Sequence, residues 1–205
     1  MMLSSDVDHL PWHLQIELRH IGAMLFESFD AMVKRRCSEH LRAGRILALV
    51  LHGSHASEDW ENIEPGEALH LTAIVNYSRL ARRRSDWRII RDRLRQAWEY
   101  REIARPVRLS VEGLDRVNRC LGSGIPHYIG LVERGIALYQ AEGLHLQAPR
   151  RLPVDQRVVR SAAEYLRWHE RGRGFLAGAA FYRDQDNAPM AALLLHQACP
   201  CHLGF

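Results

Sequence analysis

The chain has 205 residues, 47% of them hydrophobic and 25% charged, which is typical of a globular protein and excludes an intrinsically disordered one. Its net charge of +4 permits a polyanionic partner such as RNA or a nucleotide but does not require one. The four cysteines are scattered, which excludes the dense disulfide pattern of a small secreted protein.

The apolar segments predict neither a membrane span nor a secretion signal. The longest apolar runs, at residues 46–51 and 190–195, are too short to cross a bilayer. The first thirteen residues lack the basic start and long apolar stretch of a signal peptide. We therefore expect a cytoplasmic protein that does not contact a membrane.

The N-terminal part predicts one helix followed by two strands. Apolar residues recur at spacings of three and four from Leu14 to Phe29, which indicates an amphipathic helix. Residues 46–51 form a compact apolar run just before a Gly-Ser pair, and they predict a buried strand that enters a tight turn. Residues 69–75 predict a second strand because they alternate and end in β-branched residues.

The middle of the chain predicts a charged helix, a third strand and two more helices. Residues 79–101 form the arginine-rich helix, and a solvated helix face is favoured for its arginines over a phosphate- or RNA-binding patch. Residues 107–111 alternate cleanly between apolar and polar side chains and predict the third strand. The two further helices are predicted at residues 114–121 and 126–138.

A change of composition near residue 150 predicts two domains. Residues 147–153 contain two prolines and are interpreted as a linker. They separate a first domain at 1–146 from a helical hairpin at 154–205.

The hairpin combines a long helix at 154–182 with an apolar helix at 190–198, and the final CPCHLGF segment is expected to interrupt the second helix. Two helices of this size cannot bury both apolar stripes against each other. We therefore expect a partner or self-association through residues 154–198.

The strand, Gly-Ser turn, loop and second strand resemble the polymerase-β-type nucleotidyltransferases, in the minimal bacterial form fused to a C-terminal HEPN domain. In that family a strand ends in Gly-Ser, an Asp-x-Asp follows on the next strand, and a third acid often lies on a later strand. The matching segments, in chain order, are Asp8-His9-Leu10-Pro11, Leu51-His52-Gly53-Ser54, Asp59-Trp60, Leu69 to Asn76, Arg105 to Leu109, Gly135 to Tyr139 and Ala191 to Ala198.

The resemblance implies a fold and a chemistry. The fold is an α+β domain with a mixed sheet flanked by helices, followed here by a partial all-α, HEPN-like hairpin. The chemistry is nucleotidyl transfer from ATP, for which carboxylates hold Mg²⁺ ions and the Gly-Ser turn, here Gly53 and Ser54, binds the triphosphate. Two acids at positions i and i+2 of a strand point the same way and can hold metal ions together.

This chain departs from the family pattern at the acids. The match through residues 74–76 aligns the Asp-x-Asp positions with Ala68 and His70, and the later acid with Arg108. None of the three is a hard-metal carboxylate ligand. Glu67 and Asp59 are the weak catalytic candidates that remain, although a one-residue shift along a strand would turn Glu67 to the opposite face.

Histidines at the same turn raise a second possibility. His52, His55 and His70 could form a zinc-like site, with His70 the weak metal candidate, because imidazole is a common zinc ligand. The favoured interpretation is that His52 and His55 merely flank the turn and that His70 fills a vacated acid position.

Two functions remain open. The favoured one is a non-catalytic, antitoxin-like binding module that restrains a HEPN-type partner in a toxin–antitoxin pair. The alternative is an active nucleotidyltransferase that uses Mg²⁺ and ATP to modify a protein or small molecule. A third interpretation is a decayed or frameshifted gene product, because the final CPCHLGF segment is unrelated to the helix that it interrupts and the HEPN-like hairpin is cut within a helix. The Arg-x4–6-His motif of active HEPN ribonucleases is not expected in this hairpin.

Overall fold

The computed structural model describes residues 3–35, 42–57, 63 and 66–203, with side chains described as far as Cys199. The chain divides into two compact units, Met1–Arg150 and Arg151–Phe205. The described parts contain seven helices and one four-stranded sheet. The expected α+β class is therefore confirmed at the level of a mixed sheet combined with helices.

The sheet of the first unit contains both parallel and antiparallel pairs. Its strands are β1 (Ile46–His52), β2 (Leu69–Val75), β3 (Val107–Gly113) and β4 (Ile136–Gln140), in the spatial order β3-β2-β1-β4. The central strand β1 pairs antiparallel with both β2 and β4, whereas β2 and β3 are parallel. The three strands predicted from the sequence are present, and β4 is an additional one.

Five α-helices have bounds within the described residues of this unit. They are α1 (Trp12–Lys34), α2 (Ser78–Ala81), α3 (Arg84–Glu99), α4 (Leu114–Gly122) and α5 (Pro126–Glu133). The predicted arginine-rich helix at 79–101 is thus two helices, α2 and α3. Trp87 of α3 is fully buried and donates its indole N–H to the carbonyl oxygen of Leu80 at 3.0 Å, which ties the two helices together.

The strands bury apolar side chains on both faces, which explains why they are nearly continuous apolar runs. On one face, α1 and α3 contribute to a core that includes Leu49, Leu51 and Leu71. On the other face, α4 and α5 contribute to a core that includes Val50 and Ile74. The second face carries the polar residues considered below.

The predicted helix at 126–138 is wrong in its second half. Helix α5 ends at Glu133, and residues 136–140 instead form β4, where Ile136 pairs with Leu51 and Ala137 with Val50. Gly135 separates the two elements, because a Cβ there would collide with the carbonyl oxygen of Leu131 and lie 2.6 Å from Val50 Cγ1. The chain therefore leaves the helix at the glycine and returns along β1.

The second unit is a pair of helices, α6 (Val154–Asp184) and α7 (Ala188–Leu203). The prediction that the last segment interrupts the second helix is wrong, since α7 continues through position 200 to Leu203. The buried residues among the described side chains of this pair are small: Gly172, Ala179, Ala191 and Ala198. A Cβ added to Gly178 of α6 would lie 3.0 Å from Leu194 Cδ1 of α7. None of the described helices is long and apolar enough to cross a membrane.

Candidate functional site

The Gly-Ser turn lies at the end of β1. Gly53 has φ +80° and ψ −154°, a backbone conformation that residues other than glycine rarely adopt. A short 3₁₀ helix, Ser54–Ala56, follows it. The backbone thus turns sharply at Gly53, and the Ser54 hydroxyl lies just beyond the C-terminal end of β1, a central strand of the sheet.

A pocket of about 750 Å³ opens at this turn. It lies between the end of β1 and one side of α5, and it is lined by His52, Gly53, Ser54, Ala56, Ser57, His127, Gly130, Leu131 and Arg134. This volume is within the range of roughly 300–1,000 Å³ that is usual for small-molecule sites. The predicted nucleotide-binding pair, Gly53 and Ser54, therefore borders a cavity large enough for a small ligand.

The positions aligned with two of the family's acids are direct neighbours across the sheet. His70 pairs with His52 on one side and with Arg108 on the other. Side chains at paired positions share a face, so these three residues form one row across β1, β2 and β3 at the end of β1. The sequence analysis aligned His70 and Arg108 with two acids of the family. These two residues lie side by side on β2 and β3.

Glu67 contacts the turn although it lies outside the strand. Its Oε1 accepts a hydrogen bond from Ser54 Oγ at 2.6 Å. Strand β2 begins at Leu69, so the alternation of strand side chains does not fix the direction of Glu67. The argument from a one-residue shift along a strand therefore does not apply to Glu67. The other weak catalytic candidate, Asp59, lies outside the described residues.

His52 is a neutral imidazole inside a small polar cluster. Its Nε2 and the hydroxyl of the buried Thr72 are 3.0 Å apart and share a hydrogen bond. Its ring centroid lies 5.7 Å from that of His70 and 5.9 Å from that of His127. Burial, and then the nearby His70 and His127, lower the pKa of His52 from 6.5 to about 4.

His55 does not join this cluster in the pocket lining. It is only 2% exposed, and neither ring nitrogen has a hydrogen-bond partner within the described ranges. Burial and then the charge of Arg105 lower its pKa, while Glu67 and Glu17 act in the opposite direction. Burial thus favours the neutral form of the His55 ring, which lies beside the turn and outside the pocket lining.

The described residues at this site do not provide the set of carboxylates that a Mg²⁺ ion needs. Mg²⁺ prefers oxygen ligands. The His70 ring offers nitrogen, the Arg108 guanidinium is a cation that does not bind metals, and Ala68 offers no ligand, so Glu67 is the carboxylate available among the described residues of the turn. Glu112, further along β3, is occupied by an ion pair with Arg116, with Nε and Oε2 3.4 Å apart, and by a hydrogen bond with Tyr128. Over the described parts of the chain, no three His, Cys, Asp or Glu side chains are grouped as metal ligands.

Helix α5 and its C-terminal cap add two residues that the sequence analysis did not single out, His127 and Arg134. They are seven residues apart, with Gly130 and Leu131 between them, so they lie on one side of the helix. A Cβ on Gly130 would lie 2.8 Å from Nη2 of Arg134, which shows that the guanidinium lies against this glycine. The spacing of His127, Gly130 and Arg134 is the signal that could have indicated a polar stripe.

No family model, no curated protein and no solved structure matches the chain.

Proposed function

We propose that the chain is a nucleotidyltransferase-fold protein with a degenerate metal site, which acts by binding rather than by catalysis. The carrying observation is the cross-strand pair of His70 and Arg108, which places two nitrogen-bearing side chains at neighbouring positions where the family would hold metal with carboxylates. A positively charged guanidinium repels a divalent cation, so this pair opposes metal binding.

The topology supports the nucleotidyltransferase part of this proposal. A helix precedes β1, the Gly-Ser turn ends β1, β2 is antiparallel to β1, and β3 is parallel to β2. This arrangement is the mixed sheet that the resemblance implies.

The paired helices α6 and α7 support the HEPN part of the proposal. A hairpin whose large apolar side chains are exposed is suited to docking, and the resemblance makes a HEPN-type protein its partner. The antitoxin-like role rests on that resemblance.

One observation favours the second candidate, an active nucleotidyltransferase. The hydrogen bond between Ser54 and Glu67 keeps a carboxylate at the Gly-Ser turn. In an active enzyme Glu67 would be the acid among the described residues of the turn that holds Mg²⁺, with the ATP phosphates supplying further oxygen ligands.

Nucleotide transfer is the activity that separates the two candidates. The full chain is incubated with ATP labelled on the α-phosphate and with Mg²⁺ or Mn²⁺, and label on the protein or on added acceptors is measured. We expect no labelled product, because the acids that would hold the metal are replaced. Labelled product that disappears with both Ser54→Ala and Glu67→Gln would overturn the binding function.

A gain-of-metal variant provides the matched control. The double substitution Ala68→Asp and His70→Asp restores the Asp-x-Asp spacing at partly exposed positions. We expect this variant, and not the parent chain, to bind Mn²⁺ by electron paramagnetic resonance.

A further inference from the structure

The row His52, His70 and Arg108 ends in an arginine, and the pocket on its β1 side contains a second arginine, Arg134. Together they form a line of basic side chains, and neither arginine has an acidic partner among the described residues. Arg108 and Arg134 form no ion pair or side-chain hydrogen bond with any described residue, and both are exposed. Arginines elsewhere in the unit do find acids, for example Arg93 with Glu27 and Arg105 with Glu17. Other exposed arginines also lack partners, but these two border the pocket and the histidine row.

The line has the length of an extended anion rather than of a single ion. From His52 through His70 to Arg108 it crosses three strands, which is two interstrand spacings or about 10 Å. On the β1 side it continues into the pocket that holds Arg134, His127 and the hydroxyls of Ser54 and Ser57.

The chemistry of these groups suits phosphate. Guanidinium groups bind phosphate oxygens through paired N–H donors, and imidazole N–H groups donate further hydrogen bonds. The hydroxyls of Ser54 and Ser57 already donate to Glu67 Oε1 and to the Ser54 carbonyl oxygen. Among the described residues, the donors that remain for a phosphate are therefore the two arginines and the rings of His70 and His127.

We propose that this site binds the polyphosphate chain of a nucleotide directly, with His70, Arg108 and Arg134 contacting the phosphate oxygens that a divalent metal would otherwise bind. The inference rests on the proposed function, because it assigns a ligand class to the emptied catalytic site. Mg²⁺ weakens the binding, since it neutralises the phosphate charge that the arginines would otherwise attract.

The dependence on metal and on phosphate number provides the test. Binding of ATP, ADP, AMP and inorganic phosphate to the full chain is measured by isothermal titration calorimetry, once in EDTA and once in excess Mg²⁺. We expect binding in EDTA, with an affinity that rises from AMP to ATP because each phosphate adds contacts along the row. Excess Mg²⁺ is expected to weaken ATP binding.

Single substitutions locate the binding to this row. Arg108→Ala and Arg134→Ala each remove an exposed cation and are expected to weaken ATP binding in EDTA about tenfold or more. Arg88→Ala is the matched control, because Arg88 is an equally exposed arginine on α3, which packs on the other face of the sheet. It is expected to leave the affinity unchanged.

The possible failures are distinguishable. Absence of ATP binding in EDTA, or binding that neither substitution weakens, overturns this inference and leaves the non-catalytic function standing. ATP binding that requires Mg²⁺ and is accompanied by labelled transfer product overturns both.

Discussion

His52 stands between two other imidazole rings at the end of β1, and its hydrogen bond with Thr72 holds the ring over the sheet. A histidine with a lowered pKa binds fewer protons in the folded state than in the unfolded state at mildly acidic pH. The folded protein is then destabilised by acid. The stability that comes from the neutral His52 ring is fully present above pH 6.5, the ordinary pKa of histidine. This stability is lost as the pH falls from 6.5 towards about 4, because the unfolded chain takes up the proton first.

This pKa shift predicts a pH-dependent stability that a His52 variant reduces. We expect the free energy of unfolding to fall less steeply between pH 6.5 and 4 in His52→Gln than in the parent chain, because glutamine keeps a polar group near Thr72 but does not titrate. Urea denaturation at pH 7, 5.5 and 4.5 measures the slope. If the free energy of unfolding falls equally steeply with pH in both proteins, the lowered pKa of His52 is contradicted.

Single residues of the site differ in how far the sequence could reveal them. Gly53 and Ser54 could be located because a glycine after a short apolar run marks a turn, and both line the pocket. Glu67 could not be oriented, because its direction depends on β2 starting at Leu69 rather than earlier. His127 and Arg134 could not be connected with His52, since only the packing of α5 beside β1 brings them together.

At the scale of elements, β4 is the instructive case. Ile129, Val132 and Ile136 lie at helical spacing, so periodicity alone extends the helix through Gly135. The strand forms because pairing with β1 supplies hydrogen bonds and because the backbone at Gly135 passes close to Leu131 and Val50. Such long-range pairing leaves no mark in a short window of sequence.

The close passage at Gly135 predicts a destabilised variant. Gly135→Ala places a methyl group against the Leu131 carbonyl and Val50, and we expect a loss of about 1–3 kcal/mol in the free energy of unfolding. Urea denaturation followed by circular dichroism measures it.

Gly22→Ala is the matched control within the same unit. The added methyl there would lie 3.9 Å from Leu49 Cδ2, an ordinary contact, and alanine favours the helix by about 0.5–1 kcal/mol. This variant is therefore expected to be slightly more stable than the parent. Equal stability of the two variants would contradict the steric role of Gly135.

At the scale of the whole molecule, the two units differ in how they bury apolar side chains. The first has a sheet with a core on each face, whereas the buried residues among the described side chains of the second are all small. Large side chains on α6 stay exposed, among them Val158, Tyr165 and Phe181. The α+β class and the strands β1, β2 and β3 could be predicted because their patterns are local. The nucleotidyltransferase and HEPN assignments remain predictions.

The exposed apolar side chains of α6 predict self-association of the isolated protein. We expect a mass above that of one chain by multi-angle light scattering, because a patch of this kind is costly to leave in water. Val158→Glu combined with Tyr165→Glu alters exposed positions on one side of α6 and is expected to shift the mass to that of a monomer.

Gln156→Glu provides the control for added charge, since it is exposed and lies two positions before Val158, on the other side of α6. It is expected to leave the mass unchanged. A parent chain that is monomeric at all concentrations would contradict self-association.

The central position of β1 also sets when the nascent chain can complete its sheet on the ribosome. Strand β2 follows β1 closely, but β4, which covers the other edge of β1, is translated only after α2, α3, β3, α4 and α5. At about 5–20 residues per second, several seconds pass during which an apolar strand has an open edge. Open edges of this kind template pairing with other chains. A chaperone that shields strand edges therefore has most to protect on nascent chains that end between β2 and β4.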